Sequence, residues 1–398
     1  MNISLLINIL FNWIENKSKR KYYVYFLTFF LVCMSLLFAT PKYEKWIRDF
    51  NKPQSFLTPN IPRSELVDNL KYSWEVTKLK ADNLLDPLTQ IDQTTSPRNR
   101  VFRLTPPLII KIFRLNPLTT NIVQFILGIF FISLFYRFSK KILDNPVAAT
   151  FLCAGLVFTY FGRVFFFDIG YGFDGLAYLL LLLAMYYRNP VLVFSFATLA
   201  AWTDERALIA LSIVLIFHQV DFKNSENFKL KNLVKLNAQG LAVIGAIFGY
   251  VILRMFLTYR YNMHTASGAI TNLTQVLSNI LGRHMLAGLW SFLEGFWLLY
   301  IFIIGFAISG KHFAFLVTVT FPILVLGLGS FFVDTTRSGS FMVPVVFIFL
   351  AYLNQFMNKK EMNILLCICM IFSFIYPAYY IAQGFSPYPP VFMSLFNF

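Results

Sequence analysis

Charge is scarce in this chain. Asp, Glu, Lys and Arg together make up 13% of 398 residues, against 57% hydrophobic. A soluble domain is about a quarter charged, so an ordinary soluble fold is excluded. Histidine and cysteine are rare, at four each. His218, His264, His284 and His312 are scattered over loops and span ends, and Cys33, Cys153, Cys367 and Cys369 lie inside apolar runs without metal-ligand spacing. The cysteines read as small buried hydrophobes. There is no Walker A loop, no His-Glu-x-x-His motif and no nucleophile elbow. Nor is there a fixed-period repeat or a low-complexity tract.

What is present is a long series of apolar runs. Mean hydropathy is +0.62, and Phe occurs 47 times. The fold class expected is all-α, a polytopic helical membrane protein. A span needs about 20 apolar residues. About eleven candidates follow, at 22–40, 119–137, 147–167, 174–187, 190–202, 206–219, 235–257, 284–308, 312–333, 341–357 and 362–383. The fourth to sixth are short, and tilted or broken segments are expected there. Residues 1–21 place their basic cluster after a short apolar part, the reverse of a signal peptide. They read as an interfacial amphipathic helix on the cytoplasmic side. Residues 22–398 then form one transmembrane domain.

The net charge of +15 does not indicate nucleic acid, because the positives sit beside apolar runs, where they set topology against anionic lipid. With the N-terminus inside, "RFSKK" (137–141), Arg188, 221–235, "SGKH" (309–312) and "NKKE" (358–361) all fall inside. The short outer connections carry the acids: "DIGYGFDG" (168–175), "TDER" (203–206) and "DTTRSGS" (334–340). Two longer outer segments are 41–118 and 258–283, and the C-terminus is periplasmic. Within 41–118, "SELVDNLKYSWEVTKLKADNLL" has helical spacing and predicts short surface helices. "RLTPPLIIKIFRLNPL" (103–118) predicts a proline-started helix or a re-entrant turn.

Chemistry therefore concentrates at one face: Glu44, Asp49, Asp168, Asp174, Asp204, Glu205, Arg206, Asp334 and Arg337. A carboxylate there serves as a general base, two can hold a divalent cation through oxygen, and an arginine takes a phosphate bidentately. Structural roles compete. Asp168 and Asp174 flank a Gly-rich turn, where Asp also forms turns and caps helices. In "TDER", Thr203 or Asp204 could cap the next helix with Glu205 near its positive end. A cation fits that end poorly, which favours a functional Arg206. Glu294 lies about 15 Å inside a span at 1.5 Å per residue and must be paired, protonated or lining a cavity. Trp290, Phe292, Phe296 and Trp297 around it suit a lipid or sugar groove, while Arg163 or Arg254 could pair with it.

Four stretches, "YEKWIRDF", "LTPPLI", "FDIGYGFDGLAYLLLLLAMYYRNP" and "LAAWTDERALIALS", resemble in order and placement the polytopic glycosyltransferases of the GT-C superfamily. The likeness covers about residues 22–220. It departs in the first loop, where Asp49 lies inside "IRDF" and Glu44 competes for its role. The resemblance implies transfer of a sugar from a polyprenyl-phosphate donor to a glycan, lipid or protein acceptor at the outer face of the bacterial inner membrane. Asp49 or Glu44 would be the base. Asp168, Asp174, Asp204, Glu205, Glu294 and Asp334 would line the substrate, with Arg206 and Arg337 on the phosphate. Asp49, Asp168 and Asp174 are the candidates for holding Mg or Mn. A polysaccharide polymerase or ligase, and a lipid-linked-sugar flippase or transporter, are the alternatives.

Overall fold

The computed structural model describes residues 3–38, 43–52, 56–57, 69–89, 91, 100–220, 235–265, 285–331, 335–375, 380–381 and 385–386. They are almost wholly helical, apart from a two-residue antiparallel ribbon of Tyr380–Ile381 with Phe385–Ser386. Among the described residues, three helices are long and apolar enough to cross a membrane, or up to five if each of two bent pairs counts as one span.

The chain enters through α1 (Ile3–Ser18) and α2 (Tyr23–Phe38), bent by 120° relative to each other. Three short helices follow: α3 (Tyr43–Phe50), α4 (Leu70–Asp82) and α5 (Thr105–Phe113). Then come α6 (Pro117–Leu143), α7 (Pro146–Leu156), α8 (Tyr160–Phe167), α9 (Asp174–Tyr186), α10 (Pro190–Thr203) and α11 (Ala207–Gln219). Starts are written plainly in the sequence. Asn116, Asn145 and Asn189 each cap a helix whose first residue is proline, which combines an acceptor for orphan amides with a residue that has none to satisfy.

Residues 147–167 do not form one straight helix. The chain breaks at Val157–Thr159, and α7 and α8 are bent by 58°. Thr159 caps α8 by accepting from the Gly162 amide, and a Cβ on Gly162 would lie 2.2 Å from the Leu156 carbonyl oxygen. Only glycine permits that approach.

The later helices are α12 (Ala238–Tyr261), α13 (Met285–Leu293), α14 (Trp297–Ile308), α15 (His312–Phe331), α16 (Thr335–Ser340), α17 (Val345–Leu353) and α18 (Lys359–Ile375). A 3-10 turn, Glu294–Phe296, separates α13 from α14. Within the span expected at 362–383, α18 is described as far as Ile375, and Tyr380–Ile381 is strand rather than helix. The expected loops at 221–235 and 258–283 lie largely outside the described residues. Phe131, Phe135, Phe161, Phe347 and their neighbours form a continuous aromatic core through α6, α8 and α17. Helix α8 is seated on that core and also contacts α16.

Candidate functional site

The loop between α8 and α9 organises the site. Tyr171 and Phe173 are both left-handed, at φ 57° and 59°, a strained state for bulky residues. Tyr171 is the anchor that holds it. Its hydroxyl accepts from Trp46 Nε1 at 2.9 Å, and its ring packs on Trp74 and Phe50. Helices α3 and α4 are thereby pinned to the loop.

Asp174 opens α9 and is fully buried. Its Oδ1 accepts from Arg206 and Arg337, each at 2.9 Å. Its Oδ2 accepts from Arg337 Nε at 2.6 Å and from Tyr160 Oη at 2.9 Å. Asp204, also fully buried, takes the Arg206 backbone amide and Nε on Oδ1. Its Oδ2 meets Arg206 at 2.7 Å and Arg103 at 2.8 Å. Arg103 reaches Glu205 at 3.6 Å and donates to the Gly172 carbonyl. Arg100 donates to the carbonyls of Gly170 and Ser73. Four junctions thus meet in one network: the approach to α5, α8–α9, α10–α11 and α16.

Asp168, half-buried, differs from the fully buried acids Asp174 and Asp204. Its Oδ1 accepts from the Gly170 amide at 3.1 Å. Its Oδ2 is buried without a hydrogen-bond partner and faces the loop beside Arg337, since a Cβ on Gly172 would lie 2.8 Å from that oxygen and 3.1 Å from Arg337 Nη2. Burial, and then the Asp174 carboxylate, push the Asp168 carboxyl above its ordinary value; Arg337 opposes them. Asp204 goes the other way. Burial alone would raise it, but Arg103 and then Arg206 hold it below the usual carboxylate range. Burial, then Arg103, lowers Arg100 to about 10, so it stays charged at neutral pH.

Asp168, Asp174, Asp204, Glu205, Arg206 and Arg337 are therefore brought together. Arg206 is buried inside the network, with Nε and Nη2 given to its own acids. Arg337, 26% exposed at its side chain, is the guanidinium closest to solvent. Asp49 is buried and caps α4, its Oδ2 accepting from the Leu70 amide at 3.1 Å. Glu44 is exposed on α3. Glu294 is buried in the 3-10 turn, left-handed at φ 48°, where the next residue, Gly295, donates its amide to Ser373 on α18. Arg254 is held by Tyr250 and the Phe102 ring rather than by Glu294. Asp334 lies outside the described residues.

Two arginines escaped the sequence reading, Arg100 and Arg103. The signal was the basic run "RNRVFR" (98–103) just ahead of the prolines of α5. For a divalent cation the fit is poor. Both oxygens of Asp174 are held by guanidiniums, and among the described residues no group of three or more His, Cys, Asp or Glu could hold a metal ion. Comparison with family models, curated proteins and solved structures finds no match to this chain.

Gly172→Ala tests how closely Asp168 and Arg337 are drawn together. The new methyl meets Asp168 Oδ2 and Arg337, so these two must separate while the buried Asp174–Arg206–Asp204 core stays intact. The expected loss of stability is about 1–3 kcal/mol, read by thermal unfolding in detergent. An unchanged midpoint would mean that the loop yields freely.

Proposed function

We propose that this chain is a multi-pass membrane glycosyltransferase acting at the outer face of the bacterial inner membrane, with a polyprenyl-phosphate sugar as donor. The observation that carries the reading is the Asp168–Arg337 pair, in which a buried, unpartnered carboxylate oxygen stands beside a partly exposed guanidinium. Asp168 takes the proton of an acceptor hydroxyl on a glycan, lipid or protein. The freed oxygen attacks the anomeric carbon, and the bond from that carbon to the phosphate oxygen breaks with inversion. Arg337 offsets the charge that develops on the departing polyprenyl phosphate. In this reading Arg206, Asp174 and Asp204 hold Arg337 and the loop in place. Asp49 and Glu44 line the approach through α3. The eleven-span topology, with the N-terminus cytoplasmic and the C-terminus periplasmic, belongs to the same proposal. It has α9, α10 and α11, of 13, 14 and 13 residues, crossing as short tilted spans.

The broken α7–α8 pair and the buried Glu294 at another break favour a second reading, translocation of a lipid-linked sugar, since discontinuous helices mark transporter sites. One experiment separates the two. The purified chain in lipid is given polyprenyl-phosphate sugars and mixed acceptors, and Arg337→Lys is run beside the wild type. Lysine keeps the charge but loses the bidentate geometry. Transferase action predicts product from wild type and a loss of roughly 10²–10³-fold in turnover for the variant. Donor moved between leaflets without product would establish translocation instead.

A further inference from the structure

A cavity lies next to the cluster that packs around the Tyr171 anchor, sharing Trp74, Ala81 and Ile110 with it. It measures about 510 Å3, between α4, α5 and the head of α6, within the range typical of ligand sites. Three cations line it, Lys78, Lys111 and Arg114, against one acid, Asp82, so the lining is net positive. All three are exposed, and none is paired with a carboxylate among the described residues. Lys111 Nζ donates to the Asp82 backbone carbonyl at 3.2 Å, which places the ammonium without neutralising it. Arg114 ends α5 in the left-handed region, at φ 51°, where a non-glycine residue is strained.

The surroundings are apolar and exposed. Ile112 and Phe113 project beside the cavity, and Leu118, Ile122 and Ile126 run down one face of α6 at four-residue spacing. That helix is one of those long and apolar enough to cross a membrane. An apolar stripe headed by a basic cavity matches an anionic phospholipid, with phosphate in the cavity and acyl chains along the stripe.

We propose that the α4–α5–α6 cavity binds the phosphate headgroup of an anionic bilayer lipid, held by Lys78, Lys111 and Arg114. The site is distinct from the Asp168–Arg337 pair and does not depend on the transferase reading. Its consequence is mechanical. Trp74 lines this cavity and also packs on Tyr171, so a seated lipid braces the helix that supports the loop of the first site.

The test uses the full chain in bilayers of equal parts phosphatidylglycerol and phosphatidylcholine, extracted into detergent, with retained lipid counted by native mass spectrometry. Wild type retains phosphatidylglycerol in preference to phosphatidylcholine. Lys78→Ala/Lys111→Ala/Arg114→Asn retains it on the order of a hundredfold less well, each cation near an anionic headgroup contributing severalfold. Asparagine tolerates the left-handed backbone at 114. The single Lys111→Ala chain shows a smaller loss of the same sign and keeps the result readable if the triple variant does not fold. Equal retention of the two lipids, or of phosphatidylglycerol by wild type and Lys111→Ala, overturns the proposal. Displacement of the lipid by inorganic phosphate also overturns it, because the cavity then takes a free phosphate.

Discussion

Asp174→Ala is expected to destabilise the chain by about 3–5 kcal/mol, because removing one member of a buried ion network leaves the charge of its partners less compensated. Arg206 is buried, and Arg337 has two of its nitrogens on this one carboxylate. Tyr160 also loses its acceptor in a fully enclosed setting. A loss of this size lowers the unfolding midpoint by on the order of 5 °C in a chain of this length. Asp174→Asn keeps the shape and one good acceptor, and falls between. The decisive comparison is the double variant Asp174→Ala/Arg337→Ala, which also removes the stranded cation. It should be less destabilised than the sum of the two single changes, by 0.5–3 kcal/mol, the range typical of directly coupled groups. Strict additivity would mean that the pair is not energetically linked and that the network is an accident of crowding.

Much of this network was legible as residues before it was visible as geometry. "DIGYGFDG", "TDER" and the arginine of "DTTRSGS" stood out because charge interrupted apolar runs at helix ends. A chain this poor in acids places few of them there without a partner. What could not be read was the pairing. The argument that a cation fits a helix start poorly favoured a functional Arg206. The structure adds a partner for that cation, since Asp204, two residues back, takes its backbone amide and its Nε together. Asp49 was marked by its place alone. A carboxylate just past a span is equally suited to catalysis or to capping, and the bond it accepts from the Leu70 amide, 21 residues on, is one the sequence does not show. Arg100 and Arg103 have no periodicity to mark them, because they act from a loop. In the fold, the Asn-Pro starts carry a signal that the sequence holds locally, but the break at Val157–Thr159 does not. An apolar run reads the same whether straight or bent, and the bend depends on Gly162 meeting the Leu156 carbonyl, six residues back across the break.

Asp168→Asn is expected to move activity and stability in opposite directions. If Asp168 accepts the proton of the acceptor hydroxyl, the amide cannot replace it, and kcat/KM for sugar transfer should fall by roughly 10²–10⁴-fold. Stability should rise at neutral pH. The folded protein holds this carboxyl above its ordinary value, first through burial and then through the charge on Asp174. A group raised on folding adds most stability below its unfolded pKa, about 4, and that contribution is lost as pH rises through the folded value. The neutral amide carries no such dependence. The advantage of the variant should therefore be smallest in acid, grow from about pH 4 up to the raised folded value, and stay level above it. The wild-type pH–rate profile should climb through the same window, and the variant's residual activity should lack that limb. Asp204 supplies the contrast. Its carboxyl is held low by Arg103 and Arg206, so it contributes stability above its unfolded pKa that is lost as pH falls through the folded value. Asp204→Asn should accordingly destabilise the chain at neutral pH, whatever it does to turnover. A functional acid is kept at the protein's expense and a structural acid is not, so the signs of these two variants separate the roles. Were Asp168→Asn to destabilise the chain and leave turnover intact, Asp168 would be a turn residue like any other and the site would have to lie elsewhere.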